Sequence, residues 1–147
     1  MIGAGGASRA VIAALLDHGA TTIRLANRSR HRAEELASDF GPVVQVESWD
    51  DRSAMLAGVD TLVNASSLGM NGQPPLDLAL DDLPATALVN DLVYTPLETG
   101  LLAQARVRGN PCVDGLGMLL HQAAPGFERW FGQSPQVDDA LRQAVLG

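Results

Sequence analysis

Short apolar runs alternate with helical patterns along most of this chain, and that alternation leaves few folds open. Residues 22–26, 43–46, 61–64, 87–90 and 111–113 read as strands. Between them, Val11, Ala14, Leu15 and His18 follow helical spacing, as do Ala33, Leu36, Ala37 and Phe40, and again Leu101, Leu102 and Ala105. Gly19, Gly41, Gly58 and Gly109 fall just past the expected helix ends, where a left-handed cap favours glycine. Strand–helix alternation of this kind builds βαβ units, a parallel sheet and helices on both of its faces. The chain has 147 residues, the size of one domain, and no repeat or flexible linker divides it.

The C-terminal part departs from the alternation. A helix is expected over residues 118–131, with Leu120, Ala123, Ala124, Phe127 and Phe131 on one side. Pro125-Gly126 should kink or break it near Ala124, because an internal proline loses a backbone donor and crowds the preceding turn. Ser134-Pro135 has the chemistry of an N-cap and first turn for a last helix, striped by Val137, Ala140, Leu141, Ala144 and Val145.

The segment Ile2-Gly3-Ala4-Gly5-Gly6-Ala7-Ser8-Arg9 lies between a strand end and a helix start. Gly3 permits a tight turn, and Gly5 lets the backbone approach a pyrophosphate without a Cβ in the way. The following helix N-terminus offers free N–H groups and the positive end of its dipole. The third fingerprint position is Ser8 rather than Gly or Ala. With the strands and helices that follow, the loop predicts a Rossmann-type doubly wound parallel sheet binding a nucleotide, with C-terminal helices appended.

An NAD-binding sheet carries an acid about 20 residues on, for the ribose 2′-hydroxyl. Here the second strand runs into Ala26-Asn27-Arg28-Ser29-Arg30-His31-Arg32, without an acid. The net charge is −7, yet Arg24, Arg28, Arg30 and Arg32 cluster there. Cations in a first helical turn oppose the helix dipole unless an anion is bound. The 2′-phosphate of NADP fits that requirement, and the planar guanidinium suits it.

Bulk composition excludes other classes. A pI of about 4.7 argues against nucleic acid or an anionic membrane as partner. No apolar stretch approaches the roughly 20 residues of a membrane span. The single cysteine, Cys112, rules out an intrachain disulfide and fits a reducing cytoplasm. Cys112, on an apolar strand, reads as an inert thiol, Met70 and Met118 as packing residues, and His18 and His121 as structural or exposed; no metal site is expected.

The later segments resemble the cofactor domain of the shikimate dehydrogenases. Beside the glycine loop, they are Asn27-Arg28-Ser29, Asn64-Ala65-Ser66-Ser67-Leu68-Gly69-Met70, Asp91-Leu92-Val93-Tyr94-Thr95-Pro96, Thr99-Gly100-Leu101-Leu102 and Asp114-Gly115-Leu116-Gly117-Met118-Leu119-Leu120-His121-Gln122. They occur in order across nearly the whole chain. The family interconverts 3-dehydroshikimate and shikimate with NADP, on the route to chorismate and the aromatic amino acids. The resemblance implies that Gly3, Ala4, Gly5, Gly6 and Ala7 bind pyrophosphate. Asn27, Arg28, Ser29 and Arg32 would hold the adenosine 2′-phosphate, with Arg28 over the adenine. Asn64, Ser66 and Ser67 would line the cleft, Leu92 and Gly115 would sit by the nicotinamide, and Tyr94 and Gln122 would touch shikimate.

The same resemblance implies a substrate domain, with a lysine–aspartate pair, that these residues do not supply. All ten basic residues are arginines, so no lysine is available as a proton relay. Residues 1–147 are thus expected to be the NADP-binding domain, without a catalytic residue of their own. Helices within 118–147 would turn toward the substrate domain. A truncated first strand of only Met1-Ile2 is short for a central strand, which suggests a fragment, a misassigned start or a separately encoded half. Its neighbours' open edges suggest a possible homo-oligomer. Alternatives are a quinate/shikimate or aminoshikimate-type dehydrogenase, and a non-catalytic nucleotide-binding fragment.

Overall fold

The computed structural model describes residues 1–147. Its elements run α1 (Gly6–Asp17), β1 (Ile23–Ala26), α2 (Arg30–Phe40), β2 (Val44–Glu47), a 3-10 turn (Ala54–Leu56), β3 (Thr61–Asn64), β4 (Leu88–Asp91), α3 (Gly100–Val107), β5 (Cys112–Val113), α4 (Leu116–Phe131) and α5 (Asp139–Leu146). β1 pairs with β2, β3 with β4, and β4 with β5, all in parallel. Ile2 bridges Ala26 on one side and Asn64 on the other, and so joins the two halves. The spatial order is β2–β1–Ile2–β3–β4–β5, that of a doubly wound sheet with Ile2 in the place of its first strand.

Short as it is, this central segment is paired on both edges. Gly3 N donates to Ala26 O (2.9 Å) and Ala26 N to Met1 O (3.0 Å); Ile2 N donates to Val63 O (2.9 Å) and Ala65 N to Ile2 O (2.8 Å). Below Met1 the facing edges of β1 and β3 stand apart. A cavity of about 330 Å³ lies there, between residues 22–24 and 61–63. The amino group of Met1 sits at its top and donates to the Arg24 carbonyl at 2.6 Å. Burial, then the neighbouring Arg24 charge, push that amine from its ordinary 8.0 down to about 5.

Apolar side chains pack on both faces of the sheet, as a parallel sheet requires. One cluster joins Ile2, Leu62 and Val89 to Leu101, Leu102 and Ala105 of α3; the other joins Ile23, Leu25 and Val63 to Ile12 of α1 and Leu36 of α2. The crossover from β3 to β4 carries no helix. Pro74, Pro75 and Pro84 disfavour one there. Leu76, Leu78 and Leu80 instead alternate in extended fashion, with Leu78 and Leu80 buried.

All four glycines expected at caps have positive φ, from +70° at Gly58 to +89° at Gly19. Two C-terminal expectations change. α4 continues unbroken through Pro125. The helix is exposed at His121, so water can take the carbonyl that proline leaves without a donor. The cap of α5 is Asp138, not Ser134: its carboxylate accepts from Leu141 N at 2.9 Å, a stronger partner for a helix N-terminus than a hydroxyl. Of α4 only Leu116 is buried, and of α5 no residue, which leaves Phe127, Trp130, Phe131, Val145 and Leu146 exposed.

Candidate functional site

The glycine loop leaves the sheet between the ends of β1 and β3, where a doubly wound sheet opens its crevice. Gly3 has φ +100°, and a Cβ on it would lie 2.8 Å from Ser66 N and 2.9 Å from the Ala65 carbonyl carbon. Backbone cannot yield to such an atom, so Gly3 is required both for its conformation and for its space. Ser8 then locks the turn: fully buried, it donates from Oγ to Gly3 O (2.9 Å) and accepts from Gly5 N (3.1 Å). The serine that departs from the fingerprint therefore has a stated structural task. The amides of Gly6 and Ala7, at the start of α1, have no partner in the chain.

The loop is tied sideways by Asn27, whose Oδ1 accepts from Ala4 N (3.1 Å) while Nδ2 donates to Ser29 O (2.8 Å). Beside it opens a cleft of about 200 Å³, lined by Gly3, Ala4, Gly5, Asn27, Arg28, Arg32, Trp49 and residues 65–68. No carboxylate lines it. The basic cluster divides here. Arg24 turns away and donates to the carbonyls of Met55 and Ala57, both at 2.8 Å, because its strand position points it off the crevice. Arg30 pairs with Glu34 at 2.8 Å. Arg28 and Arg32 enter no ion pair and face the cleft. Ser29 precedes α2 as its N-cap and does not line the cleft.

Along residues 65–67 the cleft meets a second, more apolar trough of about 350 Å³. Ala7, Met70, Leu92, Tyr94 and Met118 line it. Met70 and Met118, expected as packing residues, are thus trough walls. Tyr94 lies in the trough and is 44% exposed. Gln122 is exposed on α4 and lines neither space. Gly115 lies beneath: a Cβ on it would meet Leu92 O at 2.3 Å.

Asn64 sits under the cleft rather than in it. Fully buried, it accepts at Oδ1 from Ser66 N (3.1 Å) and Ser66 Oγ (2.7 Å), and its Nδ2 donates to Leu68 O (3.1 Å) and Asp91 Oδ1 (2.9 Å). Asp91, also fully buried, accepts further from Val93 N (3.0 Å) and Thr99 Oγ1 (2.6 Å). Burial raises its carboxyl above the ordinary 3.8, against the pull of these three hydrogen bonds. The network fixes the ends of β3 and β4 and the N-cap of α3 relative to one another. Sequence reasoning missed Asp91 in this role, although a carboxylate closing an apolar strand is a visible signal. It also missed Trp49, for which no periodicity gave a cue.

Two family models match the chain: Shikimate / quinate 5-dehydrogenase over residues 1–70, and Shikimate 5'-dehydrogenase C-terminal domain over residues 115–146. The NADP(+) shikimate dehydrogenase of Paramagnetospirillum magneticum is 63% identical over 146 residues, which are 99% of this chain and 53% of that protein. That of Paracoccus denitrificans is 60% identical over 99% of this chain and 52% of its own length. Among solved structures, quinate dehydrogenase from Corynebacterium glutamicum in complex with NAD superposes with a TM-score of 0.88 at 33% identity, over 99% of this chain and 53% of that one. Shikimate 5-dehydrogenase from Thermus thermophilus in complex with NADP(H) and shikimate gives 0.76 at 34% identity, over 92% and 49%. The chain thus spans about half the length of the relatives it matches. With its Rossmann sheet and these matches at both ends, the chain belongs to the shikimate dehydrogenase family and corresponds to that family's C-terminal portion.

Proposed function

We propose that this chain is the NADP-binding part of an oxidoreductase that interconverts 3-dehydroshikimate and shikimate. The observation that carries this reading is the acid-free cleft in which Arg28 and Arg32, both without a carboxylate partner, stand beside the glycine loop. The chain's fit to the cofactor is chemical: free amides at Gly6 and Ala7 for a pyrophosphate, two cations for a 2′-phosphate, and an apolar trough beyond for a nicotinamide. Bound there, NADP supplies the hydride chemistry.

The chain's own residues bind and orient. Asn27 holds the glycine loop against the 27–29 turn, and the Asn64–Asp91 pair holds residues 65–68 against it from below. Leu92, backed by Gly115, and Met118 give the trough a wall that excludes water. Tyr94, half-exposed in the trough, is the residue we assign to contact with the substrate. No lysine is present, and arginine stays protonated, so the proton to or from the substrate oxygen must be handled by the rest of the enzyme. The exposed apolar side of α4 and α5, with Phe127, Trp130 and Phe131, is the surface we assign to contact with that remainder.

A quinate dehydrogenase is the second reading, favoured by the 0.88 superposition on a quinate enzyme holding NAD. Arg28 and Arg32, in a cleft without an acid for a ribose 2′-hydroxyl, support NADP over NAD for this chain. Calorimetric titration with both cofactors tests the proposal. A clear preference for NADP is expected; equal binding, or none, would overturn it. Substrate profiling of the full-length enzyme with shikimate and quinate separates the two readings.

A further inference from the structure

Trp49 is the one aromatic side chain that lines the cleft, and the network that holds the cleft together does not use it. It follows the end of β2, which is at the far edge of the sheet, yet it is half-buried, packs against one of the two core clusters and lines the cleft. One face of the indole is taken. The Arg52 guanidinium lies over it at 4.8 Å from the centroid. Arg52 is itself held by three further bonds: Nη1 donates to Trp49 O (2.9 Å), Nε to Asp77 O (2.8 Å) and Nη2 to Asp77 Oδ2 (3.3 Å). The guanidinium thus holds the ring from that face. What remains exposed of it borders the same space as Arg28 and Arg32.

An indole held from one face and bordering a cationic cleft has a chemistry of its own. Cations recognise phosphate through charge, and an aromatic surface offers stacking to any flat π-system. We propose that Trp49 is the wall against which the nucleotide's adenine packs, on the side of the cleft away from the pyrophosphate loop, and that Arg52 is the positioning residue that holds it there. The proposal rests on the nucleotide reading above and adds to it the residue that selects for the base.

The chain has two tryptophans, and Trp130 is 79% exposed on α4, so Trp130→Phe leaves Trp49 as the sole indole reporter. In that background, titration with 2′,5′-ADP should change Trp49 emission saturably, while inorganic pyrophosphate, which has no base, should leave it unmoved. Trp49→Leu keeps apolar bulk for the core but removes the aromatic surface. It should weaken 2′,5′-ADP by about tenfold, as loss of one base–aromatic stack does, and leave calorimetric pyrophosphate binding unchanged. Trp49→Phe should restore most of the loss, which mere core filling would not explain. If Trp49→Leu binds 2′,5′-ADP as tightly as the parent, or if Trp49 emission stays constant while calorimetry shows saturation, the proposal is overturned and the NADP reading stands. If the parent chain binds neither 2′,5′-ADP nor NADP, both fall together.

Discussion

Gly115 lies so close beneath Leu92 that a Cβ on it would sit 2.3 Å from the Leu92 carbonyl oxygen and 2.5 Å from its carbonyl carbon. The backbone of Gly115 is helical, with φ −78°, so the demand is for space and not for conformation. The contact joins the start of α4 to the strand end that walls the apolar trough. Gly115→Ala must push the two apart. We expect urea denaturation to show a loss of about 1–3 kcal/mol, the usual cost of overpacking. NADP affinity should fall while that of 2′,5′-ADP, which does not reach the trough, stays as it was.

Arg28 and Arg32 divide one task. Arg28→Ala should lower NADP affinity by at least about tenfold, the scale of a lost charge-assisted hydrogen bond, and change NAD affinity little. Calorimetric binding of NADP should weaken with rising salt, because these side chains are exposed. An unchanged NADP-to-NAD ratio in the variant would contradict the assignment.

Asp91 accepts from three donors and is fully buried. Asp91→Ala leaves the Asn64 amide, the Val93 N–H and the Thr99 hydroxyl without their acceptor, and denaturation should show a loss of about 3 kcal/mol or more. The pH dependence has a definite sign. The folded-state pKa is raised, so the native state holds the proton at pH values where the unfolded chain has lost it. Relative to Asp91→Asn, the parent should therefore gain stability as pH falls through the raised value toward 3.8, and lose that gain as pH rises. A difference that does not vary with pH would show the carboxyl to be unperturbed.

Much of the fold was legible because it rests on local rules. Strand runs such as 61–64 and 87–90 have apolar centres, Leu62-Val63 and Leu88-Val89, the helices show their periodicity, and Gly19, Gly41 and Gly109 mark helix ends by a conformation that glycine adopts most readily. The same locality made the glycine loop and the absence of an acid after β1 readable. Where local rules misled, a competing partner won. Ser134-Pro135 has good capping chemistry, but Asp138 offers a carboxylate. Pro125 disfavours a helix, but an exposed helix can give its freed carbonyl to water.

The sequence by itself determined the alternation, the parallel sheet, the glycine turn and the cationic character of residues 28–32, because each depends on neighbours within a few positions. Only the tertiary structure decided which arginines reach the cleft, since Arg24 and Arg28 differ in where their backbone points them and not in chemistry. Tertiary structure also decided that Ser8 locks the Gly3 turn, that Asn64 meets Asp91 under the cleft floor, and that Trp49 reaches from an edge strand to the crevice. These depend on pairings that the chain makes only after it folds: Asn64 and Asp91 stand 27 residues apart, and no pattern along the sequence records a contact at that distance.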